Sequence, residues 1–232
     1  PEFFAEKYFK EKIDEIILQE VIASFYKRKQ LSLLINKITK NIFTHITVSD
    51  GIRKVNDIKE ILINGADRVS INTAAVNDKK FIKESVKVFG SSTITITIES
   101  LKVGEKYKVY TDSGRTETNI DTFEWIKKVQ DMGVGEIILT SINNEGTGKG
   151  FDLNLYEKSS KICNISLLAH GGTRNAEDIY KLFIDTDIDG AIIASAFHYN
   201  YYKELLNKKK ISLRGSKIGR AHVWTPVKCW DR

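Results

Sequence analysis

The sequence predicts an α/β fold: a (β/α)8 (TIM) barrel of two half-barrel repeats, with the first strand missing and seven parallel strands remaining. Three observations carry this. Seven short apolar strand patterns alternate with helical ones across 232 residues, an order that yields a parallel sheet with helical crossovers. An internal repeat lays Gly51–Ile58 (GIRKVNDI) on Gly172–Ile179 (GTRNAEDI) and Glu15–Leu18 on Glu136–Leu139 (both EIIL), each at a spacing of 121 residues without a gap. Finally, Gly133–Asp152 (GVGEIILTSINNEGTGKGFD) joins a short apolar strand, entered at Glu136, to a polar Gly-rich loop carrying Asn143, Asn144, Glu145 and Thr147. Loops after strand C-termini carry the site in barrels of this kind.

In chain order, a helix over Phe3–Lys12 leads into strand Glu15–Leu18. A helix over Lys27–Lys40 and strand Ile42–Val48 follow, then the turn Ser49-Asp50-Gly51, a helix over Val55–Asn64 and strand Arg68–Asn72. Apolar spacing predicts a helix over Lys79–Phe89, and the Ile/Thr alternation of Ser92–Glu99 predicts a strand. Residues 101–112 alternate on either side of Gly104 and read as a small hairpin excursion. Helix Asp121–Met132, strand Glu136–Thr140, helix Leu153–Ile162, strand Ile165–Ala169, helix Ala176–Ile184, strand Gly190–Ala194 and a last helix complete the order. The repeat mate of Glu99 falls upstream of residue 1, so the repeat itself predicts a lost first strand. The chain also begins abruptly, at Pro1-Glu2-Phe3-Phe4, inside an amphipathic helix.

Composition sets further limits. No apolar run approaches the length of a membrane span, and Cys163 and Cys229 form no disulfide framework, which fits a reducing cytoplasm. The net charge of +6 is spread over helical faces, with dense runs only at Tyr26–Lys29 and Lys208–Lys210, so no nucleic-acid partner is expected. Lys217, Arg220, Lys228 and Arg232 against Asp231 place half of it in residues 215–232. That segment changes composition, and Ile218–Val227 (IGRAHVWTPV) resembles a translated sequencing adapter. It is expected to be a non-native tail, residues 1–214 forming the incomplete barrel, and His222 and Cys229 are not recruited as ligands.

Two equivalent loop systems lie at predicted strand C-termini. One combines Gly51 with Asn72 and Thr73, and the other Gly171 and Gly172 with Ala194 and Ser195. Such glycines let backbone N–H groups approach an anion at a helix N-terminus, which suits a substrate with a phosphate at each end; the alternative is tight turns alone. Asp50 weakens the first system. Glu99 ends an apolar strand, where a carboxylate is costly unless used or paired, and with Asn143 and Glu145 it makes a candidate catalytic group for acid–base work. Glu145 alternatively is a solvated loop residue. Glu15, Arg68 and Glu136 start their strands and ring the barrel floor, as stabilising salt bridges or as a gate. Gly146–Gly150 lacks the Gly-Lys-Ser/Thr ending of a phosphate-binding loop. No spacing points to a metal or other cofactor, and His170, where the repeat would place a small residue, reads as structural, as does His198.

Taken together, these residues resemble the cyclase-subunit family of imidazole glycerol phosphate synthase over residues 1–214. The carriers are DGIRKVNDIKEILINGADRVSINTAAV, the strand ending at Glu99, GVGEIILTSINNEGTGKGFD, LLAHGGTRN and AIIASAFHY. The resemblance implies a cytoplasmic barrel that takes ammonia from a glutaminase subunit docked on its floor. Ammonia then meets a bisphosphorylated ribulosyl-formimino-carboxamide nucleotide, giving imidazole glycerol phosphate and aminoimidazole carboxamide ribonucleotide for histidine biosynthesis. It implies catalysis by two aspartates, one on the missing strand and one at Glu99. It also implies phosphate contacts at Gly51, Asn72, Thr73, Gly171, Gly172, Ala194 and Ser195, an ammonia gate at Glu15, Arg68 and Glu136, and a partner contact at Asp67. Three departures stand out: Ser49-Asp50-Gly51 replaces a triple glycine, Asn143 and Glu145 replace aspartates, and Glu99 carries one methylene more, a displacement near 1 Å that can cost about a hundredfold in rate. NNEGTGKGFD and the HYN segment are also similar to paralogues in surface-sugar amidation clusters, where the barrel would deliver ammonia to another enzyme's substrate. A non-catalytic partner-binding scaffold is a third reading. The fragment itself is expected to be inactive, with two open sheet edges.

Overall fold

The computed structural model describes residues 2–19, 28–49, 51–197 and 227–230. Asp50, His198 and the expected last helix lie outside the described residues. In chain order the elements are α1 (Glu2–Lys10), β1 (Glu15–Gln19), α2 (Arg28–Thr39), β2 (His45–Ser49), α3 (Val55–Ile63), β3 (Arg68–Ile71), α4 (Thr73–Asn77), α5 (Lys79–Phe89) and β4 (Ile94–Val103). After these come β5 (Lys106–Thr111), β6 (Thr116–Asp121), α6 (Thr122–Gln130), β7 (Glu136–Ser141), α7 (Leu153–Ser160), β8 (Ser166–His170), α8 (Ala176–Asp185), β9 (Gly190–Ile193) and β10 (Val227–Trp230).

Seven strands, β1-β2-β3-β4-β7-β8-β9, pair in parallel as neighbours, as the alternation predicts. Pleating sends successive side chains to opposite faces. Outward residues such as Ile16, Leu18, Ile137 and Leu139 join the main core under the helices, whereas Ile17, Ile138, Leu168 and Ile192 form a separate cluster. That second cluster is an apolar layer across the barrel interior, as expected of a closed-packed barrel core.

The repeat is physical. β1 and β7 start 121 residues apart, as do β2 and β8, and α3 and α8. Each repeat sets a carboxylate at the same place in its helix: Asp57 Oδ2 accepts from the N–H groups of Arg53 (2.9 Å) and Lys54 (3.2 Å), and Asp178 Oδ2 accepts from Arg174 (2.8 Å) and Asn175 (3.3 Å). A carboxylate at this place satisfies orphan donors and complements the helix dipole. The floor is bracketed in duplicate as well, Asp67 Oδ2 accepting from Ile46 N–H and Asp189 Oδ2 from Leu167 N–H, both at 2.8 Å.

The slot that the mate of β4 would occupy lies between β9 and β1. There the backbone of β10 pairs antiparallel with both neighbours, Val227 opposite Ile193 and Lys228 opposite Glu15. Along this segment β10 covers both edges, which were expected to stand open in residues 1–214 by themselves. Unpaired strand edges template any extended chain that reaches them, so the slot accepts a segment that its sequence does not recommend.

Several boundaries move for identifiable reasons. The second strand starts at His45 rather than Ile42, because the ladder with β1 begins at the Glu15–His45 pair; Ile42 is buried below it and Phe43 is exposed against Phe9. β4 runs on to Val103, since its end pairs with β5. The excursion is a three-stranded meander, β6 pairing antiparallel with β5 through a turn in which Asp112, Ser113 and Gly114 all have positive φ. Asn72 is not the last residue of β3 but the N-cap of the five-residue α4.

Because the two capping aspartates do the same work, Asp57→Ala and Asp178→Ala should each destabilise the chain by about 1–2 kcal/mol. Urea denaturation of the single and double variants measures this, with near-additive losses expected for separated sites.

Candidate active site

At the floor, Arg68 Nη1 lies 3.5 Å from Glu15 Oε2 and 3.4 Å from Glu136 Oε2. Both carboxylates are buried, at 3% and 5% exposure. Thr47 Oγ1 donates to Glu15, Thr95 Oγ1 to Glu136 (3.3 Å) and Ser166 Oγ to Glu136 (3.4 Å). The three residues expected to ring the floor are thus brought together inside the barrel. Asp67 stands at the rim, exposed, with Oδ1 3.6 Å from His45 Nδ1.

Above the floor the interior is two-sided. The β7-β8-β9-β1 half contributes the apolar layer of Ile17, Ile138, Leu168 and Ile192. The β2-β3-β4 half contributes hydroxyls: Thr47, Ser70, Thr95 and Ser49 are buried, and Ser70 Oγ shares a 2.6 Å hydrogen bond with Thr97 Oγ1. Small polar groups therefore run up one wall from the floor ring toward the mouth.

The mouth is a small, solvent-open cavity. Ile17, Ile138 and Ile192 form its base, Gln19, Ser49 and Thr97 one side, and Glu99, Thr140, Glu145 and His170 carry its ionisable and hydrogen-bonding groups. Glu99 is 8% exposed, and its Oε2 accepts from Gly114 N–H at 3.0 Å. The meander thus folds back over the mouth, its Asp112 N–H also donating to Thr73 Oγ1 at 3.0 Å. Asn143 is exposed and stands outside the cavity lining; its Oδ1 accepts from Lys102 N–H at 2.7 Å and ties the loop to the end of β4.

His170 ends β8. Its Nδ1 lies 3.0 Å from Thr140 Oγ1, and its backbone oxygen accepts from Tyr156 Oη at 2.6 Å. Burial pushes its imidazole below the ordinary value of 6.5, and the Glu145 carboxylate opposes that shift by favouring the charged ring. Sequence reasoning set His170 aside as structural, and it set no store by Thr140 or Gly114. One signal for His170 was present: the repeat places it over Ser49, and both line the cavity.

The glycine loops have the geometry that the residue type permits. Gly51 has φ 71°, and Gly171 and Gly172 both have φ 104°. A Cβ on Gly172 would lie 2.1 Å from Gly150 O, so only glycine fits. Gly150 N–H donates to Gly172 O at 2.9 Å and Asn144 Nδ2 to Gly150 O at 2.8 Å, which fixes the two loops against each other. Ala194 follows β9 and Ser195 opens the helical turn over 195–197, both half-buried. In the other half, Asn72 is buried and its Oδ1 has no hydrogen-bond partner among the described residues. Such an atom is costly unless a ligand group meets it. Among the described residues, no cluster of three or more His, Cys, Asp or Glu side chains could hold a metal, and no helix is long and apolar enough to cross a membrane.

Residues 1–203 match the family described as Histidine biosynthesis protein. The chain is 40% identical over 215 residues to the imidazole glycerol phosphate synthase subunit HisF of Thermococcus onnurineus, covering 90% of this chain and 85% of that protein. It is 38% identical over 221 residues to the protein of the same name in Petrotoga mobilis (94% and 86% covered). To that of Bacillus cereus strain G9842 it is 40% identical over 200 residues (86% and 79% covered).

Two outcomes follow from the geometry. Arg68→Met leaves two buried carboxylates without their guanidinium and should destabilise the chain by about 3 kcal/mol in urea denaturation. As pH falls below 6.5, the unfolded chain takes up a proton that folded His170 resists, so stability declines on acidification. His170→Gln should remove that part of the decline, seen as a flatter stability profile between about pH 7 and 5 than the parent chain gives.

Proposed function

We propose, from the premise that this chain belongs to the histidine biosynthesis protein family and to its imidazole glycerol phosphate synthase cyclase-subunit (HisF) branch, that its barrel passes ammonia from floor to mouth for addition to a bisphosphorylated substrate. The observation that carries this is half-buried Arg68 held between the buried Glu15 and Glu136 at the floor, with a wall of hydroxyls and an acid–base cavity above them. A charged ring at a barrel floor has no role in chemistry at the mouth unless something crosses between them. Ammonia is small, polar and hydrogen-bonding, so it suits a passage walled by Thr47, Ser70, Thr95 and Thr97 and not by charge.

The substrate is the ribulosyl-formimino-carboxamide nucleotide that carries a phosphate at each end, and the products are imidazole glycerol phosphate and aminoimidazole carboxamide ribonucleotide. Gly51, Asn72 and Thr73 take one phosphate, and Gly171, Gly172, Ala194 and Ser195 the other. The positive-φ glycines support that assignment. Glu99 and Glu145 act as acid–base groups, with Asn143 shaping the loop beside them. The ammonia source is a glutaminase subunit seated on the floor around Asp67, in a cytoplasmic heterodimer.

A second reading has its own support. The floor ring is complete in its three expected members, whereas the mouth carries Glu99, Asn143 and Glu145 where the family resemblance implies aspartates. An ammonia-delivery subunit serving another enzyme's sugar would keep the first and relax the second. Complementation of a cyclase-deficient histidine auxotroph by the gene restored with its upstream sequence separates the two: growth supports cyclisation, and failure by a well-expressed protein favours delivery.

Residues 215–232 are foreign to the barrel in this account, and the β9–β1 slot belongs to a first strand that carries the second acid–base aspartate. Residues 1–214 alone should therefore show no ammonia-dependent cyclase turnover, and adding that strand should restore it. Turnover by residues 1–214 in a spectrophotometric assay contradicts this.

A further inference from the structure

We propose that His170 is a second acid–base group of the mouth, lining the same cavity as Glu99, with Thr140 standing between them and fixing its ring. The proposal rests on the ammonia-addition reading above and deepens it. His170, Glu99, Glu145 and Thr140 line one cavity. The half-barrel does not need an imidazole at this place for packing, since Ser49, its repeat mate at the end of β2, serves there and lines the same cavity. The ring is nonetheless held at Nδ1 by Thr140 Oγ1 (3.0 Å), and Tyr156 Oη separately donates to the residue's backbone oxygen (2.6 Å). With Nδ1 engaged, Nε2 is the nitrogen left to a ligand. The Thr140 bond fixes the ring orientation that a general acid–base group requires.

The titratable groups around His170 are Glu145 from the loop after β7, Glu99 from β4, and the phenol of Tyr156 from α7. Burial keeps the ring neutral near neutral pH, so it can accept a proton, and Glu145 stabilises the imidazolium once formed. In the step assigned to it, the ammonia lone pair forms a C–N bond to the substrate carbonyl carbon and the carbonyl π pair moves to oxygen. Two protons then pass in turn from nitrogen to oxygen. Neutral His170 takes each one and its imidazolium returns it, first to make a hydroxyl and then to release water. The nitrogen lone pair closes the C=N bond, and the ring ends as it began.

The test has two arms. In the 232-residue chain, NMR titration of ring-labelled histidines, with His170→Gln for assignment, should show His170 titrating below 6.5. Glu145→Gln should move its midpoint lower still. An ordinary midpoint that ignores Glu145→Gln overturns the pairing. In the strand-restored chain, His170→Gln should lower ammonia-dependent kcat about a hundredfold with substrate KM little changed, and should abolish the acidic limb of the pH–rate profile. A variant that turns over like its parent at every pH overturns the acid–base role while leaving the cyclase reading intact. Absence of turnover in the parent itself overturns both.

Discussion

One guanidinium between two buried carboxylates sets the terms for the rest of this barrel. Arg68 sits on β3, and Glu15 and Glu136 sit on strands related by the repeat, so each half-barrel brings one negative charge to the floor. At these separations each attraction is about 5 kcal/mol for an effective dielectric of about 20, set against a desolvation cost of several kcal/mol per ion. Hydroxyls of Thr47, Thr95 and Ser166 make up part of the difference.

The mouth answers to a different constraint. Its carboxylate, Glu99, ends a strand that continues as one arm of a meander, and the meander's turn returns an N–H to that carboxylate. The same turn reaches Thr73 at the edge of one glycine-loop system, so a single excursion connects the acid–base group to a proposed phosphate site. On the far side, Gly172 and Gly150 close against each other so tightly that no side chain is tolerated.

The parallel order and the floor ring were legible in the sequence because they repeat. Glu15 and Glu136 each open an identical EIIL strand, and a buried charge at a strand start has few bland explanations. The capping role of Asp57 and Asp178 was implicit in the same repeat. The meander was half legible: alternation marks β5, but nothing local says that Gly114 turns back to Glu99, since that bond spans 15 residues through three consecutive positive-φ residues. The place of His170 in the mouth was not legible for the opposite reason. A single histidine ending an apolar strand is commonly structural, and its cavity neighbours, Thr140 and Glu145, belong to another strand and its loop. The seating of β10 was not legible because the sequence sets residues 215–232 apart from the barrel.

The central claim, that the floor ring serves passage of ammonia to the mouth, is tested most directly by Glu136→Gln in the strand-restored chain with its glutaminase. The side chain keeps its size and can still accept from Thr95 and Ser166, while the ring loses one charge. The measurement is the ratio of glutamine-dependent to free-ammonia-dependent turnover. The account predicts that this ratio falls, with turnover on added ammonium salt little changed, because external ammonia enters at the mouth without crossing the floor. An unchanged ratio, at wild-type or reduced rates, contradicts it and returns Glu15, Arg68 and Glu136 to the role of structural salt bridges.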